Sequence, residues 1–517
     1  MTNKNKVLGK TLLIGVIVLF ICMRINPSIA IDNPLKPIST GKILYVGGSG
    51  EDNYTNIKSA VMDAQDGDTV FVYDDSSPYN ENIGIYKSIQ LIGEDKNTTI
   101  IDGRRISSTI FLYGGGITIS GFTIQGGVYK ALSGGIKVFS EYNVISNNII
   151  KNNEVGIISY QEPNDDNNLV CNNLITKNED DGIYLYDADN WNISNNVIID
   201  NNCHEIIFFG GSANTVISNN IIYSNRLDCI YINGGLNCTI SNNIINSNDD
   251  RGLFLWGGYN NKVIGNKIFN CKSYGIDLAD NKNNIIKKNV LENNGIHIWE
   301  SYNNDFEDNI VNGKPIIYLE NKNEMDIEED AGLIILNRCT NITVKSKCIN
   351  DTDYGIFLWE SQKCTIIDNI FSSNRYGIYA WMSNTIDIEY NTIDSNSRGI
   401  YLENVGDCLI GNNNFKNNNV GLIIDCDKDN TLNNRVEYNN FINNIEQADF
   451  VVKFPWYLRP IRWKGNHWDD NSFRFLNIYI IRGKFYIDCD PYSGERYLRN
   501  YRFIDWHPTK EPYNIEV

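Results

Sequence analysis

Histidine is scarce in this chain: His204, His297, His467 and His507 are the only four in 517 residues. No Cys-x-x-Cys spacing accompanies them, so the sequence assigns no metal site. Positive charge is also short, with 45 lysines and arginines against 63 acidic residues and a formal charge of −18. A surface that acidic excludes nucleic acid as a partner, since a basic stripe is the electrostatic footprint of such binding. Docking on anionic lipid is excluded for the same reason. Long apolar runs are missing except for Thr11 to Met23, so nothing later in the chain is a membrane segment. A 3.6-residue apolar stripe is almost absent as well, which removes helical bundles and helical repeats from consideration.

What fills the chain instead is a repeated phrase. Asn143-Val-Ile-Ser-Asn-Asn-Ile-Ile returns as Asn168-Leu-Val-Cys-Asn-Asn-Leu-Ile, Asn192-Ile-Ser-Asn-Asn-Val-Ile, Thr215-Val-Ile-Ser-Asn-Asn-Ile-Ile and Thr239-Ile-Ser-Asn-Asn-Ile-Ile. Between these runs a second phrase, Gly182-Ile-Tyr-Leu-Tyr, Gly252-Leu-Phe-Leu-Trp, Gly295-Ile-His-Ile-Trp and Gly355-Ile-Phe-Leu-Trp. Gly355, Gly377, Gly399 and Gly421 are each 22 residues apart. Short Ile/Val bursts alternating with Asn and Gly are strand chemistry, and a period in this range marks a solenoid. Three strands and three bends per period make one turn of a parallel β-helix, of the right hand usual for parallel crossovers. Asparagine suits the bends because it tolerates the left-handed backbone region. The expected fold is an all-β, right-handed parallel β-helix solenoid of roughly fourteen coils, with an N-terminal helix cap and an irregular C-terminal cap.

The chain divides accordingly. Residues 1–30 read as a signal peptide or signal anchor, with lysines, the apolar run and the small residues Pro27-Ser-Ile-Ala. Residues 31–41 are a linker, and 42–115 hold the N-terminal cap and first coils. The one amphipathic helix lies at Thr55 to Ala64, with Ile57, Ala60, Val61 and Ala64 on one face. Regular coils follow over 116–321, an acidic loop and off-register coil over 322–353, and regular coils again over 354–444. Residues 445–517 drop the repeat and gather Trp456, Trp463, Trp468 and Trp506 as a C-terminal cap. Cys238, Cys364 and Cys408 take the same place in their repeats, which reads as a ladder of small stacked residues and not as a disulfide framework. The aspartates and asparagines of the bends have the chemistry for Ca²⁺, but no strict calcium-loop spacing appears and no cofactor is assigned.

In Gly-Ile-x-Leu-x the Ile and Leu face inward, so both x positions face outward. The first outward column reads Tyr184, Ile207, Tyr231, Phe254, Asp277, His297, Ile317, Phe357, Tyr379, Tyr401. The second reads Tyr186, Phe209, Asn233, Trp256, Ala279, Trp299, Leu319, Trp359, Trp381, Glu403. Aligned apolar surface of this kind marks a binding face. The carbohydrate-binding candidates are therefore Tyr184, Tyr186, Phe254, Trp256, Trp299, Phe357, Trp359, Tyr379 and Trp381, with an extended polysaccharide or glycoprotein glycan as partner. Asp277 and His297 are neighbours in one column, with Glu300 at the next bend, and these three are the candidate acid–base groups for sugar elimination, epimerisation or hydrolysis.

Three groups of residues carry a family likeness. Tyr45-Val-Gly-Gly-Ser-Gly, Asp66-Gly-Asp-Thr-Val-Phe-Val and Leu91-Ile-Gly-Glu-Asp form the first, and Asn312-Gly-Lys-Pro-Ile the second. Gly465-Asn-His-Trp-Asp-Asp and Asp505-Trp-His-Pro form the third. With these the chain resembles the NosD-like right-handed β-helix proteins, a class shared with carbohydrate-binding proteins and sugar hydrolases. The resemblance covers nearly everything after the signal and implies a β-helix of the cell envelope. For NosD itself it implies a copper role in nitrous-oxide reductase maturation. The lysine and arginine motifs of pectate lyases, and the paired aspartates of polygalacturonases, are not recognisable here. The readings that follow are a secreted or envelope protein binding glycans, a carbohydrate-active enzyme, a structural envelope protein, and a copper-related accessory protein. Any membrane contact would be through an uncleaved N-terminal segment.

Overall fold

The computed structural model describes residues 41–128, 132–160, 165–224, 226–247, 249–426, 433–453, 461–470, 479–488, 496–505 and 508–515. The signal segment, most of the linker, Trp456, Trp506 and His507 lie outside the described residues. No helix among the described residues is long and apolar enough to cross a membrane.

One repeat shows how the sequence makes a coil. Ile183–Tyr186, Asn192–Ser194 and Val197–Ile199 are three short strands, and each pairs in parallel with its counterpart one coil later, as in Ile183↔Ile206, Ile193↔Ile217 and Ile198↔Ile222. The bend between the second and third strands is the doublet Asn195-Asn196. Asn195 takes a left-handed backbone (φ 57), and Asn219 and Asn242 do the same in the next two coils. That kink turns the second asparagine inward, where its side chain is buried. The Asn196 backbone N–H donates to Asn220 Oδ1 at 2.9 Å, and the Asn196 amide also donates to Asn220 Oδ1 at 3.1 Å and to the Val170 carbonyl at 2.8 Å. The pattern repeats from Asn220 to Asn243 and from Asn243 to Asn266. The Asn195 N–H donates to the Ser218 carbonyl of the next coil at 3.1 Å, and the amide ladder supplies the interior partner for the Asn196 N–H. Isoleucines such as Ile193, Ile217 and Ile240 stack beside the ladder almost wholly out of water. Each such side chain contributes about 1.5–3 kcal/mol through burial.

The solenoid has about 17 turns, not the fourteen read from the repeat. The open N-terminal end is covered by α1 (Ile57–Asp63), which buries Ile57, Ala60 and Val61. Asn56 Oδ1 accepts from the Ser59 N–H, and the Glu81 carboxylate accepts from the Ile57 and Lys58 N–H groups at 2.9 and 2.8 Å. These oxygens satisfy the unpaired donors of the first turn and set negative charge at its positive end.

The coils form two blocks. In the first, a 12-stranded sheet runs from Ile43–Val46 to Asp305–Glu307, and a 10-stranded sheet from Ile83–Ile85 to Ile296–Trp299. In the second, a 7-stranded sheet runs from Asn323–Ile327 to Arg462–Lys464, and a 6-stranded sheet from Cys348–Asn350 to His467–Trp468. The change comes at Asn312-Gly313, where both residues have positive φ (51 and 80). There Ile310–Val311 reverses into Lys314–Glu320 as an antiparallel pair. The regular coils expected to reach residue 321 therefore end at Val311.

The second block packs its outward face over the end of the first. In Leu333–Asn337 and Tyr354–Trp359 every residue is buried. Ile334, Leu336, Ile356 and Leu358 belong to the core of the second block, whereas Leu333, Ile335, Tyr354, Phe357 and Trp359 join the core of the first. Alternate side chains of the same strands thus serve two interiors. Polar stitches run alongside: Gly295 N–H donates to Asp353 at 2.6 Å, Asn312 Nδ2 to the Asp351 carbonyl at 2.7 Å, and Asn337 Nδ2 to the Ser301 carbonyl at 3.1 Å.

At the far end Tyr479–Asp488 and Arg496–Asp505 form an antiparallel hairpin. The asparagine ladder of the second block passes from Asn413 to Asn439 to Asn466 and ends on the buried carboxylate of Asp505. Asp505 also accepts from Gly465 N–H and Trp468 Nε1–H, while the Trp468 ring stacks on Phe441 at 4.3 Å. Gly465-Asn-His-Trp and Asp505, quoted above for their family likeness, are thus the two halves of one end closure.

Candidate functional site

The outward face of the 10-stranded sheet carries the two columns in strict register. Tyr231 pairs with Phe254, Phe254 with Asp277 and Asp277 with His297, while Asn233 pairs with Trp256, Trp256 with Ala279 and Ala279 with Trp299. Tyr184 and Tyr186 begin the same lines opposite Ile207 and Phe209. The aromatic line extends further toward the N-terminus than the repeat motif indicated. Tyr86 stacks on Tyr113 at 4.6 Å, Tyr113 on Phe139 at 4.9 Å, and Tyr160 pairs directly with Tyr186. These four lie outside Gly-Ile-x-Leu phrases, and their strand register is what places them.

Most of these rings spend their faces on one another; Tyr231 and Phe254, for example, stack at 5.0 Å with an interplanar angle of 8°. Trp256 and Trp299 keep more of their surface in water, although Trp256 also stacks on Phe254 at 6.4 Å. They are 45% and 39% exposed, and the residue between them in the column is Ala279. Two indoles stand two strand steps apart, about 10 Å, with a methyl group as the floor between them.

Beside that slot lies a charged chain. Asp277 Oδ1 is 2.8 Å from His297 Nδ1, and Asp277 Oδ2 accepts from Arg251 Nη1 at 3.2 Å. Arg251 also donates through Nε and Nη2 to Asp228 at 2.8 and 3.2 Å, and lies 3.6 Å over the Phe254 ring. Burial pushes the Asp228 carboxyl upward, against the pull of Arg251. The His297 ring stacks on Tyr274 at 4.5 Å and packs against Phe357 at 5.7 Å. The Asp–His pair has acid–base geometry, but its imidazole is held between the two blocks. Glu300 is solvent-exposed at a left-handed bend (φ 48) beyond Trp299, outside the Asp277–His297 pair.

Beyond Trp299 the continuous face expected from sequence is broken. Ile317 and Leu319 pack against the second core, and the outward line runs instead through Tyr318, Ile335 and Phe357. The hairpin at Asn312-Gly313 shifts the parity by one residue, which in a strand exchanges the faces. Phe357 and Trp359, read as outward binding residues, are each 1% exposed because the first block covers them. Tyr379 and Trp381 are half-buried against the same block, and Tyr379 donates its hydroxyl to Glu403 at 2.6 Å. Trp381 comes within 6.5 Å of Trp299 and borders the slot from the other side of the junction.

A second cluster stands at the bend leading into this sheet. Asp181, Cys203 and His204 offer ligand-type atoms that all lie within 4.8 Å of one another. His204 Nδ1 is 3.0 Å from Asp181 Oδ1 and 3.4 Å from Cys203 Sγ. Sequence reasoning assigned no metal ligands, and no spacing motif announces these, since Asp181 is brought to Cys203-His204 by coil stacking.

Comparison with known proteins matches residues 63–229 and 292–472 to the family described as periplasmic copper-binding protein (NosD). Residues 199–344 match the right-handed β-helix region family. No curated protein matches the chain. Among solved structures, the catalytic domain of a GH87 α-1,3-glucanase in complex with tetrasaccharides is similar at 15% identity and a TM-score of 0.34, over 86% of this chain and 71% of that one. A PL6 family alginate lyase is similar at 11% identity and 0.29, over 77% and 91%. The A-module of an Azotobacter vinelandii mannuronan C-5 epimerase is similar at 13% identity and 0.23, over 79% and 92%.

Proposed function

The chain belongs to the family of periplasmic copper-binding protein (NosD), and from that premise we propose an extracytoplasmic β-helix that binds an extended glycan along the outer aromatic column of its first block. The observation that carries this reading is the Trp256–Ala279–Trp299 slot. Both indoles are exposed, neither has a ring neighbour at Ala279, and their separation of about 10 Å suits alternate rings of a flat sugar chain. Tryptophan supplies a large rigid apolar surface at low entropic cost, which is why it dominates such contacts. The carboxylates of Asp228, Asp250 and Asp277 surround Arg251 and leave the neighbourhood acidic, so the preferred glycan is neutral and not a polyuronate.

The test is a glycan-array measurement on the chain beside the Trp256→Ala/Trp299→Ala double variant. The expected result is binding to a neutral glycan that the double variant loses with its thermal stability intact. Absence of binding by folded wild-type protein, or full binding by the double, would retire the reading. Turnover is a separate reading, favoured by the Asp277–His297 pair, and it predicts product release that His297→Ala abolishes.

The family description also implies copper. Among the described residues, the thiol, imidazole and carboxylate of Cys203, His204 and Asp181 have donor chemistry that fits such an ion.

A further inference from the structure

We infer that Asp181, Cys203 and His204 bind a single thiophilic transition-metal ion, copper first, at the bend that feeds the outer aromatic sheet. Three different donors converge there, within 4.8 Å of one another. Nδ1 of His204 has one in-plane position for a proton or a bond, yet it faces both Asp181 Oδ1 at 3.0 Å and Cys203 Sγ at 3.4 Å. Nδ1–H can serve Asp181 while the Cys203 thiol donates to a neighbouring carboxylate, and a cation placed between the three groups would instead draw on all three sets of lone pairs.

The separation of the donors is set by the scaffold. Asp181 precedes its partners by one coil, and its Oδ1 also accepts from the His204 backbone N–H at 2.9 Å. Coil stacking at the inter-strand spacing thus fixes carboxylate and imidazole without help from a loop. Asp181 is buried and the other two are half-buried, so the ion would be reached from solvent on one side. The His204 ring lies 5.7 Å from Tyr231 of the aromatic column, which gives the cluster a wall on the sheet side.

The donor set selects among ions. A thiolate with an imidazole favours copper or zinc over the hard cations Ca²⁺ and Mg²⁺. A closed structural zinc site takes four protein ligands, and three leave a position open, so the site exchanges its ion and does not hold the fold together. Binding breaks the Cys203 S–H bond, the proton leaves to solvent, and an S–metal bond forms. With Cu(I) as the entering ion nothing is oxidised.

The experiment uses the whole chain under anaerobic conditions. Co(II) is titrated as a spectroscopic probe and then displaced by Cu(I). Wild type is expected to show one equivalent with a sulfur-to-cobalt charge-transfer band, which Cu(I) abolishes. Cys203→Ser, an isosteric change, is expected to lose the band. His204→Ala and Asp181→Asn are expected to weaken binding by about tenfold or more, the scale of disturbing a metal's shell. Cys171→Ser and Trp256→Ala/Trp299→Ala are expected to leave the titration unchanged, which separates metal uptake from glycan binding. No band in wild type, a band surviving Cys203→Ser, or equal affinity in all variants would overturn the inference.

Discussion

Gly252-Leu-Phe-Leu-Trp256 and Gly355-Ile-Phe-Leu-Trp359 are nearly the same five residues on corresponding strands of the two blocks. Trp256 is 45% exposed and Trp359 is 1% exposed. In both, strand alternation sends the tryptophan outward from its own core. For Trp359, outward leads into the end of the first block, where it stacks on Tyr302 at 5.5 Å and on Trp381 at 5.8 Å. The motif sets direction, and only the packing of one block on the other sets exposure. An aromatic phrase therefore has two uses in one chain, as a surface in one block and as adhesive in the other.

The sharpest way to test that division is to truncate both residues. Trp359→Ala is expected to destabilise the protein by about 3–5 kcal/mol, the usual cost of emptying a large buried aromatic site, read as a lowered thermal midpoint. Trp256→Ala is expected to shift stability within about ±0.5 kcal/mol, as surface changes do, while removing glycan binding. Equal effects on stability would erase the distinction.

The junction also has its own pH response. Burial raises the Asp353 carboxyl from 3.8 to about 7, only partly offset by the Gly295 N–H it accepts and by Arg375 and His297 nearby. The folded state therefore holds this proton more tightly than the unfolded chain. The resulting stabilisation is complete below about pH 4 and is lost as pH rises through about 7, a change of the order of a few kcal/mol. Asp353→Asn is expected to flatten that portion of the stability–pH curve. Trp256 is not among the groups that shift Asp353, so Trp256→Ala should leave that portion of the curve unaltered.

The ladders supply a comparison in which the blocks should agree. Asn220→Ala in the first block strands the Asn196 N–H and the Ile193 carbonyl, and Asn413→Ala in the second strands the Asn391 N–H and the Ile388 carbonyl. Each is expected to cost about 1–3 kcal/mol, measured by denaturant unfolding. A cost in only one block would mean that the ladder supports only that block.

The fold was legible because the repeat is chemical as well as periodic. Left-handed asparagines, inward isoleucines and Gly-Ile-x-Leu each recur with the coil, and the outward columns from Tyr184 to Trp299 follow by alternation alone. What stayed hidden has three physical causes. The reversal at Asn312-Gly313 changes parity, so Tyr318 takes the place expected for Ile317, and no local pattern declares a one-residue shift. Tyr86, Tyr113, Phe139 and Tyr160 join the column from coils of irregular length. The Asp181–Cys203–His204 cluster is made by stacking, since its members come from two bends and have no fixed spacing to recognise.

Asp505 closes the ladder of the second block, and its chemistry differs from every rung before it. An asparagine rung both donates and accepts, so it can always be followed by another. The two oxygens of Asp505 take N–H groups from Gly465, Asn466 and Trp468, and the side chain has no N–H to pass on. In the language of polymer chemistry it is a chain terminator. A stack of identical coils has no intrinsic reason to stop, and its exposed end would template the next molecule as readily as the next coil. With its last rung spent on Asp505, the ladder of the second block ends inside the protein and leaves no asparagine oxygen at that rung for a further coil to extend.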